Sequence, residues 1–349
     1  MFNQPEKRYP GFNLALAGCL LAVVVIGLGA FTRLADAGLG CPDWPGCYGH
    51  ALWPSAHHEV IAANNAFPET PVEHDKTWPE MVHRYFASSL GLLTIGLLVV
   101  ALKSRRQRPQ QPVKLPMFLL AFIILQGMFG MWTVTLKLWP QVVTLHLLGG
   151  FTTFGLLWLL ALRLNNKHWQ LEQAALQKVK KFKSWALSAL IVVVVQITLG
   201  GWTTSNYAAV ACPDLPTCQA QWLPEMDFSQ AFNLFQSIGP NYLGGQMDND
   251  ARVAIHFSHR LGAIVTTLLL LWVALQLFKY IAIKETKRMA KVIMAVLVLQ
   301  LCLGLANILF NFPVAVAVAH NLGGALLLLV MITLNHRVNT CQPLTTENH

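Results

Sequence analysis

Four histidines, His83, His146, His259 and His320, sit at matching levels of four apolar stretches. The two in the first half are 63 residues apart and the two in the second half 61. An ionisable ring inside an apolar span is costly and is generally there for function. Two imidazoles facing each other in a helical bundle can hold a haem iron through both axial positions. Gly149 and Gly150 follow His146 by three and four residues, and Gly323 and Gly324 follow His320 in the same way. Those offsets share a helix face, so small residues there leave room for a flat macrocycle. Ala87 and Ala263, four residues after His83 and His259, repeat the pattern. Arg84 and Arg260 are candidates to pair with haem propionates. The plainer reading is helix–helix hydrogen bonding, with glycines serving close packing. Four matched copies favour haem over that reading. A zinc or copper site needs further ligands, and Cys19 and Cys302 have no counterparts to supply them. Those two cysteines read as core residues, and Cys341 as a free cytoplasmic thiol.

Glu80 precedes His83 by three residues, so both project from one helix face. A carboxylate beside a haem ligand could relay a proton or stabilise positive charge developing on a substrate carbon. It could equally be a helix-start charge favoured by the dipole. The segments Cys41-Pro-Asp-Trp-Pro-Gly-Cys47 and Cys212-Pro-Asp-Leu-Pro-Thr-Cys218 are tight loops, each suited to a local disulfide. Such a bridge is either a staple or a redox-active pair. Four thiolates binding zinc is a third, weaker reading. His57, His58, Glu59, Glu69, Glu73 and His74 read as solvated loop residues.

The elements that must position these groups are membrane helices. The chain has 349 residues, of which 54% are hydrophobic and 12% charged, with mean hydropathy +0.48. Soluble domains carry about twice that share of charge. A soluble enzyme, a disordered chain and a disulfide-stapled mini-protein are excluded. The net charge of +9 lies in short clusters between apolar runs, which argues against nucleic acid as a partner. Eight runs reach membrane-span length, at 12–33, 80–102, 115–136, 141–163, 185–205, 252–281, 289–310 and 314–335. Their composition points to helices rather than an alternating barrel. Lys7 and Arg8, and the basic 2–3, 4–5 and 6–7 connections, place both termini in the cytoplasm. The long 1–2 and 5–6 loops, which carry the cysteine pairs, then lie outside. The first run is too long for a signal peptide, and it has a partner in the fifth.

That partnership is an internal repeat. At offsets of 171 to 176 residues, the cysteine loops match each other, as do His83-Arg84 and His259-Arg260, Gln126 and Gln300, and His146 and His320. Two pseudo-symmetric four-helix bundles are expected: 12–164, then a basic linker 165–184, then 185–336. One matched pair differs sharply, because Glu80 stands against His256. Divergence at one polar position suggests division of labour, with His256 supporting or structural.

Together these motifs make the chain resemble the haem A synthase family, from about residue 12 to 336. The resemblance implies a membrane oxidase that converts a methyl substituent of haem O to a formyl group, through two successive hydroxylations, giving haem A for terminal oxidases. It implies that His83 and His146 face the substrate haem O and that His259 and His320 ligate a haem b cofactor. It implies that Glu80 is the catalytic carboxylate and that Cys41 and Cys47 serve redox chemistry or haem transfer. It also implies a multi-pass protein of the bacterial plasma (inner) membrane. The 47–80 stretch looks longer than in compact family members. The expected partners are lipid, an electron donor or acceptor, the farnesyltransferase that makes haem O, and a second copy of the chain. Three other classes compete. A two-haem, quinol-linked cytochrome b explains the histidines but not Glu80. A quinone-linked thiol oxidase explains the cysteines but not the histidines. A duplicated transporter predicts polar groups at the membrane midplane, where this chain has few.

Overall fold

The computed structural model describes residues 8–344. Lys7, used above for orientation, lies outside them. The described residues form eleven α-helices: α1 Phe12–Leu34, α2 His57–Ala66, α3 His74–Arg105, α4 Lys114–Thr135, α5 Pro140–Asn165, α6 Gln173–Lys181, α7 Lys183–Ser205, α8 Phe228–Ala231, α9 Asn249–Leu275, α10 Lys284–Leu309 and α11 Val314–Thr340. A π-helical turn, Gln276–Ile281, extends α9. Eight of these helices (α1, α3, α4, α5, α7, α9, α10 and α11) are long and apolar enough to cross a membrane. They correspond to the eight expected runs.

Small residues set the packing, as they must where lipid gives apolar side chains no reason to prefer a neighbouring helix. Ala15, Ala186 and Ala189 are wholly buried. A methyl group at Gly155 would stand 2.7 Å from the Ile332 side chain, so α5 and α11 approach closely there. One apolar cluster joins α1, α3, α4 and α5 with part of α11, and a second joins α6, α7, α9, α10 and the rest of α11. The helices α1, α5, α7 and α11 also pack on one another across the middle. Polar ties fix that junction. Arg33 donates to Thr204 O (2.7 Å) and lies over the Tyr207 ring, whose hydroxyl donates to Asp36 (2.9 Å). Toward the other end, Trp158 Nε1 donates to Thr333 Oγ1 (2.7 Å).

The helices outrun the apolar runs. α3 begins at His74 rather than 80, and α11 continues to Thr340. Hydropathy marks the apolar layer, whereas backbone hydrogen bonding carries a helix past it. The basic 165–184 stretch contains the helix α6, which buries Ala175, Leu176 and Val179 and exposes most of its lysines. It is preceded by β1, Gln170–Leu171, which pairs in parallel with β2, Gln342–Pro343. Cys302 is exposed rather than in the core, while Cys19 is buried as expected. A span residue facing outward meets lipid, which accepts a thiol as readily as a core does.

Gly40 joins the first cysteine loop to α3. A methyl group there would stand 2.3 Å from Lys76 O, and backbone cannot yield. Gly40→Ala should therefore lower the melting temperature of the detergent-solubilised protein by several degrees. Gly91→Ala, where the same methyl meets nothing within 4 Å, should leave it unchanged.

Candidate active site

Each of the four histidines rests against a glycine of the preceding spanning helix. A methyl at Gly29 would lie 2.8 Å from His83 Cε1. Methyls at Gly130, Gly200 and Gly304 would each lie 3.2 Å from Cε1 of His146, His259 and His320 respectively. Absence of a Cβ lets the imidazole lie against the helix backbone. The His83 and His146 rings, from α3 and α5, have centroids 6.4 Å apart and planes at 86°. An iron–nitrogen bond of about 2 Å on each side, plus about 1 Å from nitrogen to ring centre, spaces two axial imidazoles by about 6 Å. The pair therefore fits haem. No group of three or more His, Cys, Asp and Glu side chains able to hold a metal ion is gathered among the described residues. Paired imidazoles suit a porphyrin iron, which brings its own four nitrogens.

Glutamines accompany three of the rings. Gln126 Nε2 lies 3.0 Å from His146 Nδ1 and donates to His146 O (2.6 Å). Gln196 stands in the same relation to His259, at 3.1 and 3.0 Å. Gln300 lies 3.4 Å from His320 Nε2 and donates to His320 O (3.1 Å). His83 has no such glutamine, and its Nδ1 lies 3.1 Å from Val25 O. Methyl groups at Gly149 and Gly323 would collide with Gln126 Oε1 and Gln300 Oε1, at 1.9 and 2.2 Å. The space at those two glycines thus serves the glutamine amides rather than the edge of a macrocycle.

Glu80 is buried, 4% exposed, two turns into α3. It is no helix-start charge, because the helix begins six residues earlier. Its Oε2 accepts from Cys41 N (3.1 Å), and its Oε1 pairs with Arg84 Nη2 (2.5 Å). A buried carboxylate needs such partners. Arg84 also donates to the carbonyls of Asp43, Pro45 and Gly46. Cys41 and Cys47 form a disulfide and are wholly buried.

The second cysteine loop repeats this plan. Cys212 and Cys218 are bridged, and Arg260 donates to the carbonyls of Cys212, Asp214 and Thr217 at 2.8 to 2.9 Å. Asp43 accepts from the N–H groups of Tyr48 and Gly49, and Asp214 from those of Gln219 and Ala220. The Thr217 hydroxyl, then these N–H groups, hold the Asp214 carboxyl below its ordinary 3.8. It stays ionised, and its contribution stays complete, at any pH above that value. Here the likeness of the two loops ends. The place of Glu80 is taken by His256, buried with Nδ1 unpartnered, and Arg260 Nε is likewise buried without a partner.

Residues 12–332 match the family described as COX15-CtaA, cytochrome oxidase assembly protein. The chain belongs to this cytochrome oxidase assembly family. A relative from Shewanella oneidensis, named Heme A synthase, is 44% identical over 317 residues, which cover 91% of this chain and 93% of that protein. Relatives of the same name from Caulobacter vibrioides and a Chelativorans species are 27% and 29% identical. They are covered over 94% and 82% of their lengths. Membership of the assembly family, with the eight helices, makes this a multi-pass membrane protein.

Sequence reading paired Gln126 with Gln300 but missed Gln196 and the four glycines behind the rings. The signal was present as Gln-x-x-x-Gly at 126–130, 196–200 and 300–304. It lies on helices without the histidines, so only the packing connects them. The Arg84 contacts predict that each arginine protects its own disulfide. Arg84→Ala leaves several carbonyls and Glu80 short of a donor. At 1–3 kcal/mol for such a loss, reduction of Cys41–Cys47 by dithiothreitol should speed up about tenfold or more. Arg260→Ala should do the same for Cys212–Cys218 only, as alkylation and mass mapping would show.

Proposed function

We propose that the chain is a haem A synthase, oxidising a methyl substituent of haem O to the formyl group of haem A. The observation that carries this reading is the inequality of the two histidine sites. Beside His83 stands a buried, doubly held carboxylate, Glu80, and beside His259 stands His256 instead. A protein that only passed electrons between two haems would have no use for that difference. The likeness to named heme A synthases supports the same reading.

The N-terminal half, 12–164, is read as the substrate domain, with His83 and His146 as the axial pair for haem O. The C-terminal half, 185–336, is read as the cofactor domain, with His259 and His320 holding haem b. Bound there, haem b supplies a one-electron redox centre. The buried, unpartnered Arg260 Nε suits a propionate, whereas Arg84 is committed to Glu80 and the loop carbonyls.

Conversion of methyl to formyl replaces two of the three methyl hydrogens by one oxygen atom; with water as the source of that oxygen, the step releases four protons and four electrons in all. The protein must hold the methyl carbon still and take protons as they leave. Glu80 is placed for the second task. Arg84 pairs with one of its oxygens, and Cys41 N–H fixes the direction of the other. A carboxylate so fixed also stabilises positive charge on the carbon being oxidised. The full burial of Cys41 and Cys47 supports a staple, which delivers Cys41 N–H to Glu80, over a redox pair. These loops are read as lying on the outer face of a bacterial inner membrane, a reading the basic connections between spans support. Haem O from lipid, or from the farnesyltransferase that makes it, then enters near that face. The electrons pass to a carrier in the membrane.

Glu80→Gln keeps the shape and loses the base. It should retain both haems yet make haem A at least about 100-fold more slowly, the scale of a lost general base. Extraction of the haems, chromatography and mass detection of haem A against haem O would measure this. Undiminished haem A from a fully loaded variant would defeat the role given to Glu80. His259→Ala should remove the b-type haem while leaving haem O bound.

A further inference from the structure

Three of the four histidine sites share a device that the fourth has lost in two places at once. Gln126, Gln196 and Gln300 each stand four residues before the glycine that backs the ring. Each amide donates to the backbone carbonyl of its histidine and lies 3.0 to 3.4 Å from a ring nitrogen. Each needs a glycine three residues after the histidine. A methyl at Gly149, Gly262 or Gly323 would stand 1.9 to 2.2 Å from the amide oxygen. At the fourth site, Val25 takes the glutamine's place before Gly29, and Phe86 takes the glycine's place after His83. Amide and slot are lost together, and Nδ1 of His83 meets the carbonyl of Val25 at 3.1 Å.

We propose that Gln126, Gln196 and Gln300 are positioning residues that set the orientation and donor strength of His146, His259 and His320, and that His83 is deliberately set differently. This rests on the four histidines being axial haem ligands. A carbonyl only accepts, so His83 carries its proton on Nδ1 and offers Nε2 to the iron. That hydrogen bond strengthens it as a ligand. An amide carries both a donor and an acceptor, and the NH₂ group is the part anchored on the histidine carbonyl. On an iron-bound imidazole the nitrogen away from the iron carries a proton, so it cannot accept from that NH₂ group and lacks the carbonyl acceptor that His83 has. The substrate iron thus has unlike ligands, strong on the His83 side and weaker on the His146 side. The cofactor iron has a glutamine-backed ring on each side, Gln196 facing Nδ1 of His259 and Gln300 facing Nε2 of His320. A packing role for the glutamines alone would be met by the bond to the histidine carbonyl, and would not require Val25 and Phe86 to change in concert.

The test uses the full chain purified with its haems, read by haem content, low-spin electron paramagnetic resonance and midpoint potential. Gln196→Leu removes the amide. Gly262→Ala displaces it without removing it. Both should keep the cofactor haem and shift the same resonance away from the wild-type position, and the double variant should shift it no further. Gln196→Glu offers a pure acceptor and should lower the midpoint potential. Val25→Gln with Phe86→Gly should move the substrate-haem signal and leave the cofactor signal alone. Full haem content with wild-type resonance and potential in Gln196→Leu and Gly262→Ala would overturn the proposal. If Gln196→Leu loses haem, retention in Gln196→Glu supports the proposal; loss from both with a silent Gly262→Ala overturns it. Wild-type protein that binds no haem would instead remove the axial reading on which the proposal rests.

Discussion

The architecture turns on seating an imidazole inside an apolar helix bundle. Lipid cannot satisfy a ring nitrogen, so the partner must come from protein. Here it comes from the preceding spanning helix, held close by a glycine directly behind the ring. That one contact sets the spacing of α1 with α3, α4 with α5, α7 with α9 and α10 with α11. It also fixes the relative register of each pair, because the glycine must lie level with the histidine. With the His83 and His146 rings 6.4 Å apart, neither α3 nor α5 can slide without losing the gap between them.

A second constraint works at the loop ends. Arg84 and Arg260 each sit one residue after a histidine and gather the carbonyls of a disulfide-closed loop. The histidine faces the interior while its neighbour ties the covering loop to the same helix turn. Any shift of the loop is therefore felt one residue away from a ring. In the first half the tie includes Glu80, so the carboxylate, arginine and loop N–H form one unit. Substituting one member leaves a buried charge or a buried donor uncompensated, which costs more than the lost bond itself.

Much of this was legible in the sequence, and the losses have physical causes. The eight spans and the four histidines stand out because lipid imposes length and apolarity on every crossing. The cysteine pairs show because six residues of separation allow little else in a tight loop. The start of α3 at His74 did not show, since His74, Asp75 and Lys76 look like loop by polarity while their backbone continues the helix. The glycines after His146 and His320 showed, but the occupant of their space was misread. A gap in a sequence carries no label for what fills it, and the filler, a glutamine amide, comes from a helix some twenty residues away. The contacts of Arg84 were hidden for the same reason, being made with carbonyls that any residue type presents.

Among the many differences between the two halves, three lie close together around one ring. Glu80 against His256, Val25 against Gln196 and Phe86 against Gly262 all bear on His83 or its neighbouring turn. The disulfides, the arginine–carbonyl ties and the backing glycines are kept in both halves. What is shared is what seats a ring and closes a loop over it. What differs is the charge beside one ring and the hydrogen bond behind it. Their coincidence around a single imidazole accords with His83 working under a demand the other three do not share. A carboxylate three residues before His83 and a carbonyl at its Nδ1 give this turn acceptors where the other sites have amides, and in the proposed reading that is where positive charge on a substrate carbon is best supported.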